Sequence, residues 1–458
     1  VTNSQKFQVL EKAVHPRLGP GVVLADNGVN AVFCYPALVG GTEADVLSKD
    51  LTPASGAAQG ARPVLRPTAR KTAETRLKAT AFTWRPPEMI PPRRWLYGWH
   101  YVRKFASATF AAGGVGKSSL VVAEALAMVS NRDLLGHKPA EQLRVWYWAG
   151  EDPLQETERR VAAAMLHYGL KADDIGDRLF IDSGRDTKLV LAQETPRSGV
   201  EICEPVVASI IEEIRKNKID VFIIDPFVSS HAVSENDNGA IDLVAKKWAE
   251  IAGQCDCSIE LVHHVKKLGG QEATVEDGRG ASALLGAVRS ARVLNRMSES
   301  EATKAGVDNG LRYFRLGGSL SATKANLALP SPGATWFELK SVHLGNGQSE
   351  LHSDGDSVGV VTRWTWPDPF ASVTAGDLLT AQKAVNGGRW RKDYQCKDWV
   401  GRPIAKALGL DPDNKADRAK VKAWIATWTE NGALVEVEGK DEKRNIRTFV
   451  EVGEWASS

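Results

Sequence analysis

Ser107-Ala108-Thr109-Phe110-Ala111-Ala112-Gly113-Gly114-Val115-Gly116-Lys117-Ser118-Ser119 reads as a short strand that runs into a glycine-rich turn and then opens a helix reaching Ser130. Glycines let successive backbone N–H groups curl around a phosphate, and the helix N-terminus adds a favourable dipole. This is the setting of a P-loop: Lys117 reaches the β- and γ-phosphate oxygens of ATP, and the Ser118 hydroxyl ligates Mg²⁺. Gly113, Gly114, Val115, Gly116, Lys117, Ser118 and Ser119 are the expected nucleotide cradle. One position departs from the pattern. The first glycine of G-x-x-x-x-G-K-[ST] is Ala111, which fits if that residue keeps a negative φ.

Working outward, strand-like and helical runs alternate between about Phe82 and Leu344. Leu143 to Ala149 precedes a helix around Glu156 to Tyr168; Val221 to Ile224 and Ile259 to Val262 are later strands separated by a helix near Ile241 to Ala252. Such alternation predicts right-handed βαβ units and an α/β domain with a mostly parallel sheet covered on both faces.

Ile219-Asp220-Val221-Phe222-Ile223-Ile224-Asp225 sends one carboxylate out at the end of an apolar strand, where Asp225 can hold the Mg²⁺ shell. Pro226 follows it, so a water-polarising base must come from elsewhere. Glu151, at the end of the strand closing on Ala149, is the candidate, while Asp152 reads as the N-cap of the helix that Pro153 begins. His263-His264 ends another strand, and His264 is placed to sense the γ-phosphate. Among Arg279, Arg289 and Arg292, one would supply charge to a neighbouring subunit's site as an arginine finger.

The 458 residues suggest roughly three domains. Hydrophobic residues make 43% and charged residues 25%, which excludes wholesale disorder, and a formal charge of +2 means that any basic surface is local. Five cysteines without a CxxC pair support neither a disulfide framework nor a zinc finger; Cys255 and Cys257 read as buried residues beside a strand. No apolar run reaches membrane-spanning length and no signal-peptide core is present, so the expectation is a cytoplasmic protein with no membrane partner.

Residues 1–51 read as a small β-rich module, with Asn27-Gly28 turning a hairpin and His15 to Gly21 resembling a Tudor- or KOW-like barrel. Residues 52–81 have linker composition, 82–348 form the ATPase core, and 349–372 are a second linker. Residues 373–458 read as a winged helix. Helices near Ala375 to Val385, Trp399 to Leu408 and Ala416 to Glu430 precede strands Leu434 to Glu438 and Ile446 to Val452. In the third helix Val421, Trp424, Ile425 and Trp428 make one apolar stripe. Arg389, Arg391, Lys392, Lys397, Arg402 and Lys406 cluster with Trp390, Tyr394 and Trp399, and Lys415, Arg418, Lys420 and Lys422 line the start of that helix; this composition suits contact with duplex DNA.

Ile90-Pro91-Pro92-Arg93-Arg94-Trp95-Leu96, Gly113 to Ser118, Ala149-Gly150-Glu151-Asp152, Ile224-Asp225-Pro226, Glu235-Asn236-Asp237-Asn238, His263-His264 and Arg279-Gly280-Ala281-Ser282-Ala283 occur in an order that resembles the RepA-like ATPases. These are RecA-fold proteins of plasmids and phages related to hexameric replicative helicases. The resemblance implies that Lys117, Ser118, Glu151 and Asp225 are the hydrolytic core and His264 the γ-phosphate sensor. It favours Arg289 as the finger, with Arg279, Arg292 and Lys324 as alternatives. It further implies a homo-oligomeric ring, a hexamer in that family, whose loops Ser229 to Gly239 and Lys266 to Gly280 face single-stranded DNA. The second loop holds Lys266 and Lys267 but also Glu272, Glu276 and Asp277. The function so implied is that of an ATP-hydrolysing DNA motor. The alternatives are a non-translocating ATP-dependent switch, such as a recombination mediator or helicase loader, and a winged-helix regulator with a vestigial ATPase. A ParA-like partition protein is disfavoured because its signature lysine would fall at Ala112.

Overall fold

The computed structural model describes residues 79–196, 199–266, 269, 271–278, 280–317, 323–329, 333–347, 354–371 and 373–456, together with the strands lying between residues 12 and 53. The chain divides into two compact units, Val1–Pro87 and Glu88–Ser458. In the first, strands Lys12–His15, Gly19–Asp26, Asn30–Pro36, Gly41–Leu47 and Thr52–Pro53 form one antiparallel sheet. The last of them takes two residues of the expected linker, pairing Thr52 with Val14. The hairpin residues Asn27 and Gly28 lie outside the described residues.

The second unit is built on a ten-stranded sheet. In chain order its elements are β1 (Ala106–Ala111), α1 (Lys117–Ser130), β2 (Val145–Ala149), α2 (Leu154–Tyr168), β3 (Leu179–Ser183), α3 (Glu204–Lys216), β4 (Val221–Asp225), α4 (Asn238–Cys255), β5 (Ser258–His264), β6 (Ser290–Arg296), β7 (Tyr313–Leu316), β8 (Thr323–Ala325), β9 (Thr335–His343) and β10 (Ser357–Trp364). The order across the sheet is β3-β2-β4-β5-β1-β6-β7-β9-β10, with β8 paired to β6. From β3 to β6 every pairing is parallel; β7 to β10 are antiparallel. This is the α/β core with a mostly parallel sheet expected from the alternation of elements.

Parallel strands buried on both faces must be apolar throughout, and Val221–Asp225 is buried at every position. Helices α1 and α2 cover one face, where Leu120, Val121 and Leu126 meet Val145, Tyr147 and Ile223. On the other, Ile210 of α3 and Ile241 and Trp248 of α4 pack on Phe222 and Ile259. Each fully buried aliphatic side chain contributes about 1.5–3 kcal/mol.

The sheet extends past the expected domain end. Strand β10 lies within residues assigned to a second linker, yet it pairs with β9 along its full length, from Ser357 on His343 to Trp364 on Trp336. It is the edge strand, with Val360 and Val361 at its middle buried and its ends partly exposed.

After the sheet come α5 (Ala375–Val385), β11 (Trp390–Arg391), α6 (Gly401–Ala407), α7 (Lys415–Glu430), β12 (Leu434–Lys440) and β13 (Ile446–Val452), the three strands pairing in the order β11-β13-β12. Asn414 caps α7 by accepting from the backbone N–H groups of Ala416 and Asp417. Val421, Trp424 and Trp428 enter a separate small core with Val385, Ile404 and Val450. Trp399 is buried in that core and Trp390 packs against it, so these two aromatics are structural and are not free to stack on a partner.

Candidate nucleotide site

The P-loop joins β1 to α1 at the C-terminal end of the parallel strands. Gly114 has φ 69° and Gly116 φ 114°, both left-handed values that disfavour a side chain. A Cβ at Gly116 would come within 3.3 Å of the Phe314 ring. Ala111 closes β1 in extended conformation, so its methyl group is tolerated where the usual pattern has glycine. Gly116 is also the N-cap of α1 and brings no side-chain cap. The first N–H groups of this largely buried helix therefore meet no side-chain cap, which suits an anion.

Lys117 is buried, and its Nζ donates to the carbonyl oxygens of Ala111 and Ala112, 3.2 Å each. It also stands 3.2 Å from Nδ1 of His264, which β5 places beside Ala111. Burial lowers the pKa of Lys117, with Asp225 and Glu151 opposing that shift, and burial followed by the Lys117 charge lowers that of His264. The imidazole is thus neutral at pH 7 and accepts from the ammonium.

Asp225 ends β4 and is buried; its carboxylate accepts a 2.9 Å hydrogen bond from the Tyr147 hydroxyl of β2. Gly150 N–H donates to the Asp225 carbonyl at 2.8 Å, tying the chain before Glu151 to β4. Glu151 is exposed, and its backbone carbonyl accepts from Arg185 at 2.7 Å. Lys117, Ser118, Glu151, Asp225 and His264 line one cavity of about 450 Å³, together with Ser119. A larger cleft of about 680 Å³ lies among Trp95, Tyr97 and Trp99, but it holds neither the glycine loop nor the free helix terminus. The smaller one is therefore the candidate nucleotide site.

Arg160 also lines this cavity and had no signal in the sequence reading. It binds Asp152 at 2.6 Å, which corrects the expected role of that aspartate: the N-cap of α2 is Pro153, and Asp152 is an ion-pair partner. A cation two turns into a helix was visible as a residue, but its partner was not.

The candidate finger residues separate clearly. Arg292 is buried in the sheet, where it donates to both carboxylate oxygens of Glu124 (2.7 and 2.6 Å) and to Thr109 at 2.8 Å. It is committed to this chain's interior and cannot reach a neighbour. Arg289 precedes β6, its N–H bonding Ala106 at the start of β1, so it lies at the opposite end of the strands from Lys117 of the same chain. Lys324 of β8 donates to the Leu285 carbonyl and feels the Arg289 charge. Arg279 and Lys267 lie outside the described residues. Within the second expected loop, Ala273 is pinned by both ends of the Asn295 amide (2.8 Å each) and Glu272 pairs with Arg315.

In the C-terminal domain several cations are neutralised locally: Lys392 by Glu436 at 2.7 Å and Arg402 by Asp413 at 3.3 Å. Arg389 lies over the Phe449 ring and Lys422 3.1 Å from the centre of the exposed Tyr394 ring. Lys397, Lys406, Lys415 and Lys420 are exposed. Among the described residues no group of three His, Cys, Asp or Glu side chains is arranged to hold a metal, and no helix is long and apolar enough to cross a membrane.

Residues 71–270 match the family model described as an AAA domain, a span that contains Lys117, Ser118, Glu151, Asp225 and His264. Among solved structures, the chain is similar to one titled the ATPase domain of G40P, at 14% identity and a TM-score of 0.36, covering 56% of this chain and 86% of that one. Over residues 71–270 the chain is thus similar to AAA-type ATPase domains.

Proposed function

We propose that this chain is an ATP-hydrolysing DNA motor, a helicase-like ATPase that works as a homo-oligomeric ring on single-stranded DNA. The observation that carries the reading is the convergence, at the ends of β1, β2, β4 and β5, of a glycine loop, a buried lysine, a tyrosine-held aspartate, an exposed glutamate and a neutral histidine around one cavity. The residues fit Mg²⁺-ATP: the α1 terminus is uncapped, the Lys117 ammonium has only neutral partners, and Asp225 is held on one side by Tyr147. Ser118 and Asp225 would hold Mg²⁺, which neutralises phosphate charge when bound.

The protein groups then divide the work. The P-loop N–H groups and Lys117 stabilise charge on the phosphates. Glu151, whose carboxylate bonds no side chain among the described residues, orients water. His264 touches Lys117 directly, so a change at the γ-phosphate position reaches β5 and the segment beyond it. Arg289, remote from its own loop, acts in a neighbour's site, with Lys324 beside it. The C-terminal domain is read as a winged helix that adds duplex contacts through α7.

A forked-duplex unwinding assay with ATP tests this. Wild type separates strands; Glu151→Gln and Arg289→Ala retain ATP binding and lose separation. One observation favours a non-translocating switch: the segment after β5 is acidic in part and latched by Asn295 and Arg315. DNA-stimulated hydrolysis without strand separation would establish that alternative.

A further inference from the structure

We propose that the face of α7 that would enter a DNA groove is held by the ATPase domain of the same chain, so that this internal contact and duplex binding exclude each other. This rests on the reading of the C-terminal domain as a duplex-binding winged helix. The helix turns its Val421, Trp424, Ile425 and Trp428 stripe into its own small core. At about 100° per residue, Ala416 sits roughly 130° from the middle of that stripe, on the outward side near the helix start, where a recognition helix reads bases. That position is not open. Ala416 packs against Gly306, the residue that terminates the short helix Glu299–Ala305.

The approach is close enough to require glycine. Gly306 has φ 70°, and a Cβ there would stand 2.5 Å from the Ala416 Cα and 3.0 Å from its Cβ. Backbone meets backbone, with Lys415 and Lys420 exposed beside the contact. A duplex seated against Ala416 and these lysines would occupy the space that Glu299–Gly306 fills.

The short helix is also tied to the nucleotide site. It follows β6 directly, and the last residue of β6, Arg296, donates to the Gly114 carbonyl in the P-loop. Ser298 and Glu301 cap the helix reciprocally (Glu301 N–H to Ser298 Oγ 3.2 Å; Ser298 N–H to Glu301 carboxylate 2.8 Å). Glu301 accepts from Arg315 at 3.2 Å, and Arg315 also holds Glu272 in the segment beyond His264. Displacement of the P-loop or of that segment bears on the helix whose end covers α7.

The test measures binding of a short fluorescent duplex by the full chain, for wild type, Gly306→Val and the double variant Lys415→Ala/Lys420→Ala. The valine wedges the two backbones apart. Tightening by about fivefold or more in Gly306→Val, with weakening in the lysine variant, is the expected result. Unchanged or weaker binding in a folded Gly306→Val, while the lysine variant still weakens, overturns the shielding and leaves duplex binding by α7 intact. No effect of the lysine changes overturns duplex binding by α7 itself, and the shielding with it. Should Gly306→Val not fold, hydrogen exchange on wild type decides: duplex must deprotect amides of 299–306 while protecting 415–420. Unchanged protection of 299–306 on duplex binding contradicts the proposal.

Discussion

Two clusters of ionisable side chains share strands β1 and β5; each borders a cavity, but only one has the glycine loop and an uncapped helix terminus beside it. In mid-sheet, Glu260 accepts from Ser107, Thr109 and His100, and Arg292 grips Glu124, which also accepts from Tyr101 at 2.7 Å. Burial alone would raise the Glu260 pKa, but His100, the Arg292 charge and the Ser107 hydroxyl hold it below the usual carboxylate value. Every charge there has a partner of opposite sign or a donor. At the strand ends, Lys117 is buried against carbonyls and a neutral imidazole, with its carboxylates Asp225 and Glu151 aimed at the same cavity. The first cluster has spent its charge on the fold; the second keeps it for a ligand.

Substitutions should separate the two. The largest effect is expected in mid-sheet: Arg292→Ala leaves Glu124 buried without its cation and destabilises by about 3–5 kcal/mol. That lowers Tm by about 6–20 °C for a domain of this size, read by thermal unfolding. A shift of a degree or two would mean that Arg292 is not the internal partner the geometry shows. Lys117→Ala should do the reverse, leaving Tm within a few degrees while ATP hydrolysis falls by about 10²–10³-fold. Hydrolysis at wild-type rate would remove the nucleotide site from this cavity.

The smallest expected effect is on acid stability. His231 is buried, and burial lowers its pKa to about 4. Its folded pKa is below the unfolded value near 6.5, so the unfolded chain takes up a proton that the folded one refuses. Stability should therefore decline as pH falls from about 6.5 towards 4, and His231→Gln should flatten that slope in urea titrations at several pH values. An unchanged slope would show that His231 protonates freely in the folded chain.

The same contrast explains what was legible in the sequence. The P-loop, the Asp225 strand and the Glu151 strand end are local patterns: a glycine turn before a helix, or a carboxylate closing an apolar run. Their meeting followed from parallel topology, and β2, β4, β5 and β1 do lie side by side. Partners were not legible. Arg292 and Glu124 are 168 residues apart, and nothing near Arg292 announces that its guanidinium turns inward. Asp152 missed its expected capping role because Pro153 takes the N-cap position and Arg160, eight residues on, claims the carboxylate. The edge strand Ser357–Trp364 went unread because only Val360 and Val361 of it are buried, and a half-exposed stretch also suits a linker. Trp390 and Trp399 sit among cations in sequence, yet their contacts belong to the small core.

The most direct test of the nucleotide site is a paired measurement of ATP binding and ATP turnover in Glu151→Gln. Binding close to wild type with turnover reduced about 10²–10⁴-fold is expected if Glu151 orients water above a cradle formed by Lys117, Ser118 and Asp225. Wild-type turnover in that variant would contradict it and leave Asp152 and Glu156, the other carboxylates of the cavity wall, as candidates for the base.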